Sequence, residues 1–404
     1  MPADALAPEL DYVLLLFALF VVPRMLQRYR LPAAITSVAL GAAAGMGLGL
    51  FTDDLTVTLL ATLGIVALFL FAGLDVDVVD LRREARVLTQ HLVIGAAALI
   101  VTAVLVSLVL RLSWRPAVLV ALALLTPSTG FILDSLPSLG VSDQERFWIK
   151  SKAIATELVA LAVLFVTLQS TTARRLSISA LVLIGMILVL PVVFRWFAAR
   201  VVPYAPKSEF AFLLMLAVLC AFVTRRLGVY YLVGAFVVGI AAQSLRRQLP
   251  AIASDRTLHA VELFASFFIP FYFFSAGLHL RTEDFAVAAL LVGGGFLATM
   301  VPLRVALVAF HRRAALGETL RQGTRIGVAM LPTLVFTLVI AEILRVTFVV
   351  PTPVFGGLII YTLVNTLVPG LALRLPATEL GVWHAPDWEA AERPAAPPGS
   401  LPTR

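Results

Sequence analysis

The chain has 404 residues, of which 60% are hydrophobic and 14% charged, with a formal net charge of +7 and a mean hydropathy of +0.99. A soluble domain carries roughly a quarter charged residues, so this composition excludes a soluble globular protein and describes a helical integral membrane protein. A transmembrane barrel is excluded too, because its strands would alternate over about ten residues each, whereas these apolar runs are long and continuous.

In chain order, apolar runs between polar breaks predict thirteen spans, near residues 10–26, 31–50, 55–74, 87–110, 117–139, 149–168, 176–198, 209–223, 228–245, 259–280, 285–310, 321–344 and 350–373. Span 1 has acids before it and arginines after it, the reverse of a signal peptide, so it reads as a retained helix. Cys220 stands alone inside span 8, which leaves no intrachain disulfide and no CxxC metal or redox pair. Residues 374–404 are rich in Pro, Ala and charge and read as a short cytoplasmic tail.

Basic residues concentrate after the odd-numbered spans. Arg24, Arg28 and Arg30 follow span 1, Arg82, Arg83 and Arg86 follow span 3, and similar trios recur through Arg312, Arg313 and Arg321. Loops after the even spans hold fewer, and the loop after span 2 holds none. The positive-inside rule then places the N-terminus outside and the C-terminus in the cytoplasm of a cell whose inner (plasma) membrane the chain crosses. The positive charge reports topology, and no nucleic-acid partner is expected.

The chain also resembles itself. LFLFAGLDVDVVDL (Leu68 to Leu81) matches FYFFSAGLHLRTEDF (Phe271 to Phe285), with Gly73 opposite Gly277. LLTPSTGF (Leu124 to Phe131) matches AMLPTLVF (Ala329 to Phe336), with Pro127 opposite Pro332. LPAAITSVALGAAAG (Leu31 to Gly45) echoes LGVYYLVGAFVVG (Leu227 to Gly239). Spans 1–6, about 10–168, therefore match spans 8–13, about 209–373, with span 7, about 176–198, as linker. A shift of seven spans is odd, so the copies cross in opposite directions. The expected fold is all-α, a single transmembrane domain of two inverted six-helix repeats, a pattern of secondary transporters.

Proline inside a membrane helix removes one backbone hydrogen bond and clashes with the preceding turn. Pro127 and Pro332 sit mid-span at equivalent positions in spans 5 and 12, so both spans are expected to be discontinuous and to meet near the midplane. Thr126, Ser128 and the freed carbonyls are candidate ion ligands there. A plain kink with hydroxyls bonded back to carbonyls is the alternative.

Span 6 carries Glu157, about 12 Å from its cytoplasmic end at 1.5 Å per residue, close to the centre of a core of about 30 Å. A carboxylate there costs several kcal/mol unless it is used or neutralised. Lys150 and Lys152 sit at the mouth of this span and are expected to snorkel to the surface. Arg304, about 9 Å from the cytoplasmic end of span 11, is at a similar depth to Glu157 and either pairs with it or snorkels. Asp134 either lines a cytoplasmic funnel or is an ordinary polar residue near a helix end. His259, Glu262, Glu342 and Arg345 sit at span ends and read as interfacial.

Taken together, the TSP break, the acidic span 6, FFIPFYFFSAGLHL (Phe267 to Leu280) and LFLFAGLDVDVVDLRR resemble the monovalent cation:proton antiporters of the sodium/hydrogen exchanger superfamily, over about residues 10–373. The resemblance implies crossed discontinuous helices in spans 5 and 12, a mobile core domain moving against a dimer-forming scaffold, and a homodimer in the lipid bilayer. It carries the family's acidic pair onto Thr156 and Glu157, its basic residue onto Arg304, and its broken-helix ligands onto Thr126, Pro127 and Ser128. Here Glu157 replaces the usual aspartate, Thr156 its acidic or amide neighbour, and MLPTLVF the frequent Pro-Arg-Gly-Glu. No GxGxxG occurs, and the cytosolic nucleotide-binding domain of potassium-efflux members is expected to be absent.

The implied activity is exchange of sodium or potassium for protons, one for one and electroneutral, with no cofactor beyond the transported cation and proton. Glu157 would hold either the cation or the proton, with Thr126, Ser128, Thr156 and backbone carbonyls as further oxygen ligands. Three other readings stand beside it. One is a magnesium-dependent enzyme acting on lipid diphosphates through Asp75, Asp77 and Asp80. The others are a transport-inactive sensor or assembly partner and an organic-anion symporter, both on the same fold.

Overall fold

The computed structural model describes residues 7–76, 85–135, 142–205, 207–246, 248–249, 252 and 254–373. The proposed tail, 374–404, lies outside the described residues, as do Asp77 and Asp80. Every regular element among them is helical. In order they are α1 (Ala7–Gln27), α2 (Ala33–Ala42), α3 (Leu55–Leu74), α4 (Ala85–Leu110), α5 (Trp114–Leu125), α6 (Thr129–Ser135), α7 (Asp143–Gln169) and α8 (Ala173–Arg200). There follow α9 (Glu209–Arg226), α10 (Tyr231–Ser244), α11 (Asp255–Leu278), α12 (Val287–Leu316), α13 (Leu320–Ala329), α14 (Leu334–Thr347) and α15 (Thr352–Ala372).

By length and composition, eight spans among the described residues suffice to cross a membrane, α5 and α6 running together as one. The bent pair α13 and α14 makes a ninth. α2, prolonged by a π-helical turn over Ala43–Leu48, and α10 are apolar but shorter. This measure therefore accounts for part of the thirteen expected crossings.

The helix boundaries follow local chemistry. α7 starts at a capping box, in which the Ser142 hydroxyl accepts from the Glu145 amide and the Glu145 carboxylate accepts from the Ser142 amide. That start lies six residues before the expected one and sinks the residues that follow. Lys152 is consequently 1% exposed, its ammonium 4.4 Å from the centre of the Trp148 ring. The expected snorkelling thus fails for Lys152. Lys150 stays near the surface and pairs with Asp75 at 3.6 Å.

The burial pattern is that of a protein in lipid. Outward faces carry large apolar side chains, such as Leu108 and Val109 on α4, Leu181 and Leu188 on α8, and Leu291 on α12. The interior instead holds Thr126, Ser128, Thr129, Glu157, Arg304, Thr333, Thr337 and Asn365, all buried. α5 is buried along its length from Pro116 to Leu124, which makes it a central element.

Two tight helix crossings frame this centre. A methyl added at Gly41 of α2 would lie 2.0 Å from the Phe274 carbonyl oxygen of α11, and one at Gly277 of α11 would lie 2.1 Å from that of Val38. α3 and α10 meet likewise, with 2.3 Å between such a methyl at Gly73 and the Phe236 oxygen and 2.4 Å between one at Gly239 and the Leu70 oxygen. Only residues without a Cβ permit this backbone approach, which is how packing is driven where no hydrophobic effect operates between helices. Overpacking of this kind costs about 1–3 kcal/mol. Gly73→Ala and Gly277→Ala are therefore each expected to lower the melting temperature of the detergent-solubilised protein by roughly 2–10 °C. Gly95→Ala and Gly294→Ala, where an added methyl meets nothing within 4 Å, are expected to leave it unchanged or slightly raised in the same thermal scan.

Candidate functional site

The site is built on two helix breaks. Pro127 has no amide hydrogen and forces the residue before it out of the helical region, so Thr126 is extended at φ −77°, ψ 118° and α5 stops at Leu125. Pro332 interrupts the equivalent run between Ala329 and Leu334, and α13 and α14 meet at a bend of 52°. The breaks join each other directly. The Ser128 amide donates to the Pro332 carbonyl at 2.7 Å, and the Val335 amide donates to the Ser128 hydroxyl at 3.1 Å.

Freed carbonyls in hydrocarbon must find donors. The Thr337 hydroxyl donates to the Ala123 carbonyl and the Tyr361 hydroxyl to the Leu124 carbonyl, each at 2.8 Å. Arg304 closes the end of α13, donating to the Leu331 carbonyl at 2.5 Å and the Met330 carbonyl at 2.8 Å. A third contact reaches the Tyr361 hydroxyl at 3.3 Å. Beneath them the Asn365 amide donates to the Thr333 hydroxyl at 3.0 Å.

The expected pairing of Arg304 with Glu157 is not what the structure contains. A helix C-terminus carries partial negative charge on unpaired carbonyls, and a guanidinium with five donors in a fork satisfies two of them at once. The carbonyls of Ala123, Leu124, Met330, Leu331 and Pro332 are all partnered within the protein, rather than left as the free ligands the sequence suggested. Ser128 is committed in the same way, through its amide and its hydroxyl.

Glu157 lies on α7 and is 6% exposed. Its partner is the hydroxyl of Thr129, the first residue of α6, which donates to Oε2. Thr156 turns away from that bond: its hydroxyl donates to the Lys152 carbonyl at 2.8 Å and lies 3.2 Å from Nε2 of His91 on α4. A cavity of about 150 Å³ adjoins it, lined by His91, Thr126, Pro127, Thr156, Arg304 and Met330. Glu157 sits behind Thr156 and is not in that lining. Asp134 belongs to α6, but its side chain lies outside the described residues.

Thr129, His91 and Tyr361 are functional candidates that the sequence alone did not single out. Thr129 had a signal, since it lies close to Pro127, but 28 residues separate it from Glu157. A further surprise is a buried basic cluster. Arg312 is 0% exposed, bonded to Glu318 at 2.6 Å through Nε and 4.4 Å from the Trp148 ring that also covers Lys152. His311 stacks on His91 with 5.8 Å between ring centres. Asp75, one of the three acids suggested for magnesium, is the carboxylate paired with Lys150.

Residues 14–379 match the sodium/hydrogen exchanger transmembrane family. The chain is 26% identical over 319 residues to the Na(+)/H(+) antiporter NhaS5 of Synechocystis sp., covering 74% of this chain and 43% of that one. It is 24% identical over 277 residues to the Probable Na(+)/H(+) antiporter 3 of Methanocaldococcus jannaschii, covering 66% and 70%. The chain thus spans less than half the length of the first of these relatives. Its fold is similar to that of the sodium proton antiporter MjNhaP1 from Methanocaldococcus jannaschii, with a TM-score of 0.67, 14% identity and coverage of 92% of this chain and 99% of that one. The protein belongs to the sodium/hydrogen exchanger family, whose members are multi-pass secondary transporters and not enzymes.

Removing a single donor from the crossing leaves a buried carbonyl unpartnered, at about 1–3 kcal/mol. Tyr361→Phe is expected to lower thermal stability in detergent by that amount and to leave the apparent molecular size unchanged. Thr362→Val, whose hydroxyl bonds only the Thr333 hydroxyl among the described residues, at 3.0 Å, is expected to cost less in the same scan.

Proposed function

We propose that the protein exchanges a monovalent cation, sodium or potassium, for protons, with Glu157 as the site the two share. The observation that carries this reading is a buried carboxylate held by one hydroxyl, beside a cavity that reaches its neighbour Thr156. No cation among the described residues pairs with it, and Arg304 is spent on the end of α13. A buried carboxylate without a permanent counter-ion is stabilised by a proton or by a mobile cation, and the two compete. The Thr129 hydroxyl is bonded to it, Thr126 and Thr156 line the adjoining cavity, and Ser128 is engaged inside the crossing. A single exchanging carboxylate makes the cycle one for one and electroneutral.

Thirteen crossings in two inverted repeats give this chemistry its alternating access. The glycine contacts support that arrangement: spans 2 and 10 meet at Gly41 and Gly277, and spans 9 and 3 meet at Gly239 and Gly73, the same crossing with the roles of the repeats exchanged. Those four helices form the scaffold, and α5, α6, α7, α12, α13, α14 and α15 form the moving core. The cavity beside Thr156 lies in the half that the positive-inside pattern assigns to the cytoplasm. The family reading adds a homodimer.

Inverted membrane vesicles test the proposal by proton release on addition of sodium, lithium or potassium. Glu157→Gln is expected to abolish the signal for every ion, and retention of full exchange would overturn the assignment. Thr129→Val removes a hydrogen bond to a charged group, about 1.5–3 kcal/mol, and is expected to cut the rate at least tenfold while the protein still folds. Capacitive current on a solid-supported membrane is expected to be absent during sustained turnover.

A further inference from the structure

A second cavity, of about 240 Å³, lies on the other side of the helix crossing. Its walls come from Thr58 and Thr62 of α3, Tyr230 before α10, Tyr272 and Ser275 of α11, and Glu342 of α14. It thus occupies the seam between the glycine-locked helices and the broken pair. Leu338 and Val339 form its inner end, and the turn of α14 from Leu334 to Leu338, buried throughout, separates it from the break at Pro332. Glu342 is eight residues beyond Leu334, about 12 Å along the helix axis. The cavity lined by Met330, Arg304 and Thr156 approaches the same break from the opposite end.

Glu342 is the unusual group in this seam. Its carboxylate is half-buried, and it forms no hydrogen bond or ion pair with any described residue. The neighbouring charges are already engaged. Arg345 bonds Asp284 at 3.1 Å and the His279 carbonyl at 3.2 Å, and lies 4.4 Å from the Phe355 ring. Arg225, exposed at the rim, is stacked 4.8 Å from the centre of the Tyr231 ring. His279 Nδ1 is 2.7 Å from the Ser275 carbonyl. Glu342 is thus a carboxylate without a bonded counter-ion among the hydroxyls of tyrosine, threonine and serine, a set of hard oxygen donors suited to an alkali cation that keeps part of its water; the Arg225 guanidinium, also in the lining, is held on the Tyr231 ring and open to solvent that screens its charge. An anionic ligand would be repelled by it.

We propose that this cavity is the outer vestibule of the exchange pathway and that Glu342 is a cation-binding residue within it, one that concentrates the ion at the external face before or after its stay at Glu157. This rests on the exchange reading given above. The interfacial position suggested by the sequence thereby acquires a purpose, because the carboxylate at the end of α14 faces a seam rather than the lipid headgroups.

The test compares right-side-out and inverted vesicles carrying the full chain, with sodium as the varied ion. Glu342→Gln is expected to raise the KM for external sodium about fivefold, the effect of losing one partly exposed charge, with the maximal rate and the KM for cytoplasmic sodium changed less than twofold. Glu342→Asp is expected to restore most of the external affinity. Thr58→Lys, on the opposite wall, is expected to raise the external KM in the same one-sided way, and it serves if the glutamine variant fails to fold. An unchanged external KM in these variants overturns the proposal, and so does an equal rise on both faces. Where potassium rather than sodium drives proton movement, it replaces sodium in these measurements, and absence of movement with sodium, lithium and potassium alike in the wild type would overturn the exchange reading itself, and this inference with it.

Discussion

Two prolines placed in the middle of a membrane protein strip their helices of backbone hydrogen bonds where no water is at hand to replace them. Much of the central architecture answers that demand. Ser128 and Pro332 tie one break to the other, and Thr337 crosses back to the Ala123 carbonyl. Tyr361 brings in α15, and Arg304 brings in α12. None of these contacts is local in sequence: the Tyr361 bond spans 237 residues and the Thr337 bond 214. The core is therefore a single unit, in which α5, α12, α14 and α15 cannot separate without exposing carbonyls to hydrocarbon.

That arrangement also determines what surrounds Glu157. α6 restarts immediately after the crossing, and its first hydroxyl, that of Thr129, falls on the carboxylate. The cation that would otherwise neutralise it has gone elsewhere. Positive charge is abundant one turn nearer the start of α7, where Lys152 and Arg312 share the Trp148 ring, but there it is covered by aromatic surface and by Glu318. The inner half of α7 thus separates a basic cluster, sealed by tryptophan, from an acidic site bonded to threonine.

Much of this was legible in the residues, and the remainder was not for identifiable reasons. Helicity, membrane residence, the two breaks and the presence of an acid inside an apolar run follow from composition and from proline chemistry, which act locally. The repeat-matched Gly73 and Gly277 were visible as a pattern, although the sequence could not say which helices they bring together. Arg304 neither pairs with Glu157 nor snorkels, the two outcomes the sequence left open, because position along a helix says nothing about azimuth, and the Met330 and Leu331 carbonyls stand within its reach. Lys152 reads as a surface residue only if the helix starts at Ile149; the capping box Ser-Asp-Gln-Glu at Ser142 starts it six residues earlier and leaves the lysine well inside it. His91 and Tyr361 gave no signal of their own, since a lone histidine or tyrosine in an apolar run is ordinary.

The fully partnered crossing has a consequence for selectivity. Potassium-channel filters strip an ion of its water by offering rings of unpaired carbonyl dipoles in its place. Here the carbonyls nearest the breaks already accept hydrogen bonds from Arg304, Tyr361, Thr337 and the Ser128 amide. Under the exchange proposed above, an ion arriving at Glu157 would meet a carboxylate and the Thr129 hydroxyl bonded to it, too few ligands to replace a hydration shell. Its remaining ligands are the water molecules it carries in. Discrimination among alkali ions is then set by how strongly one carboxylate field competes with partial dehydration, a balance of energies rather than the radius of a rigid ring.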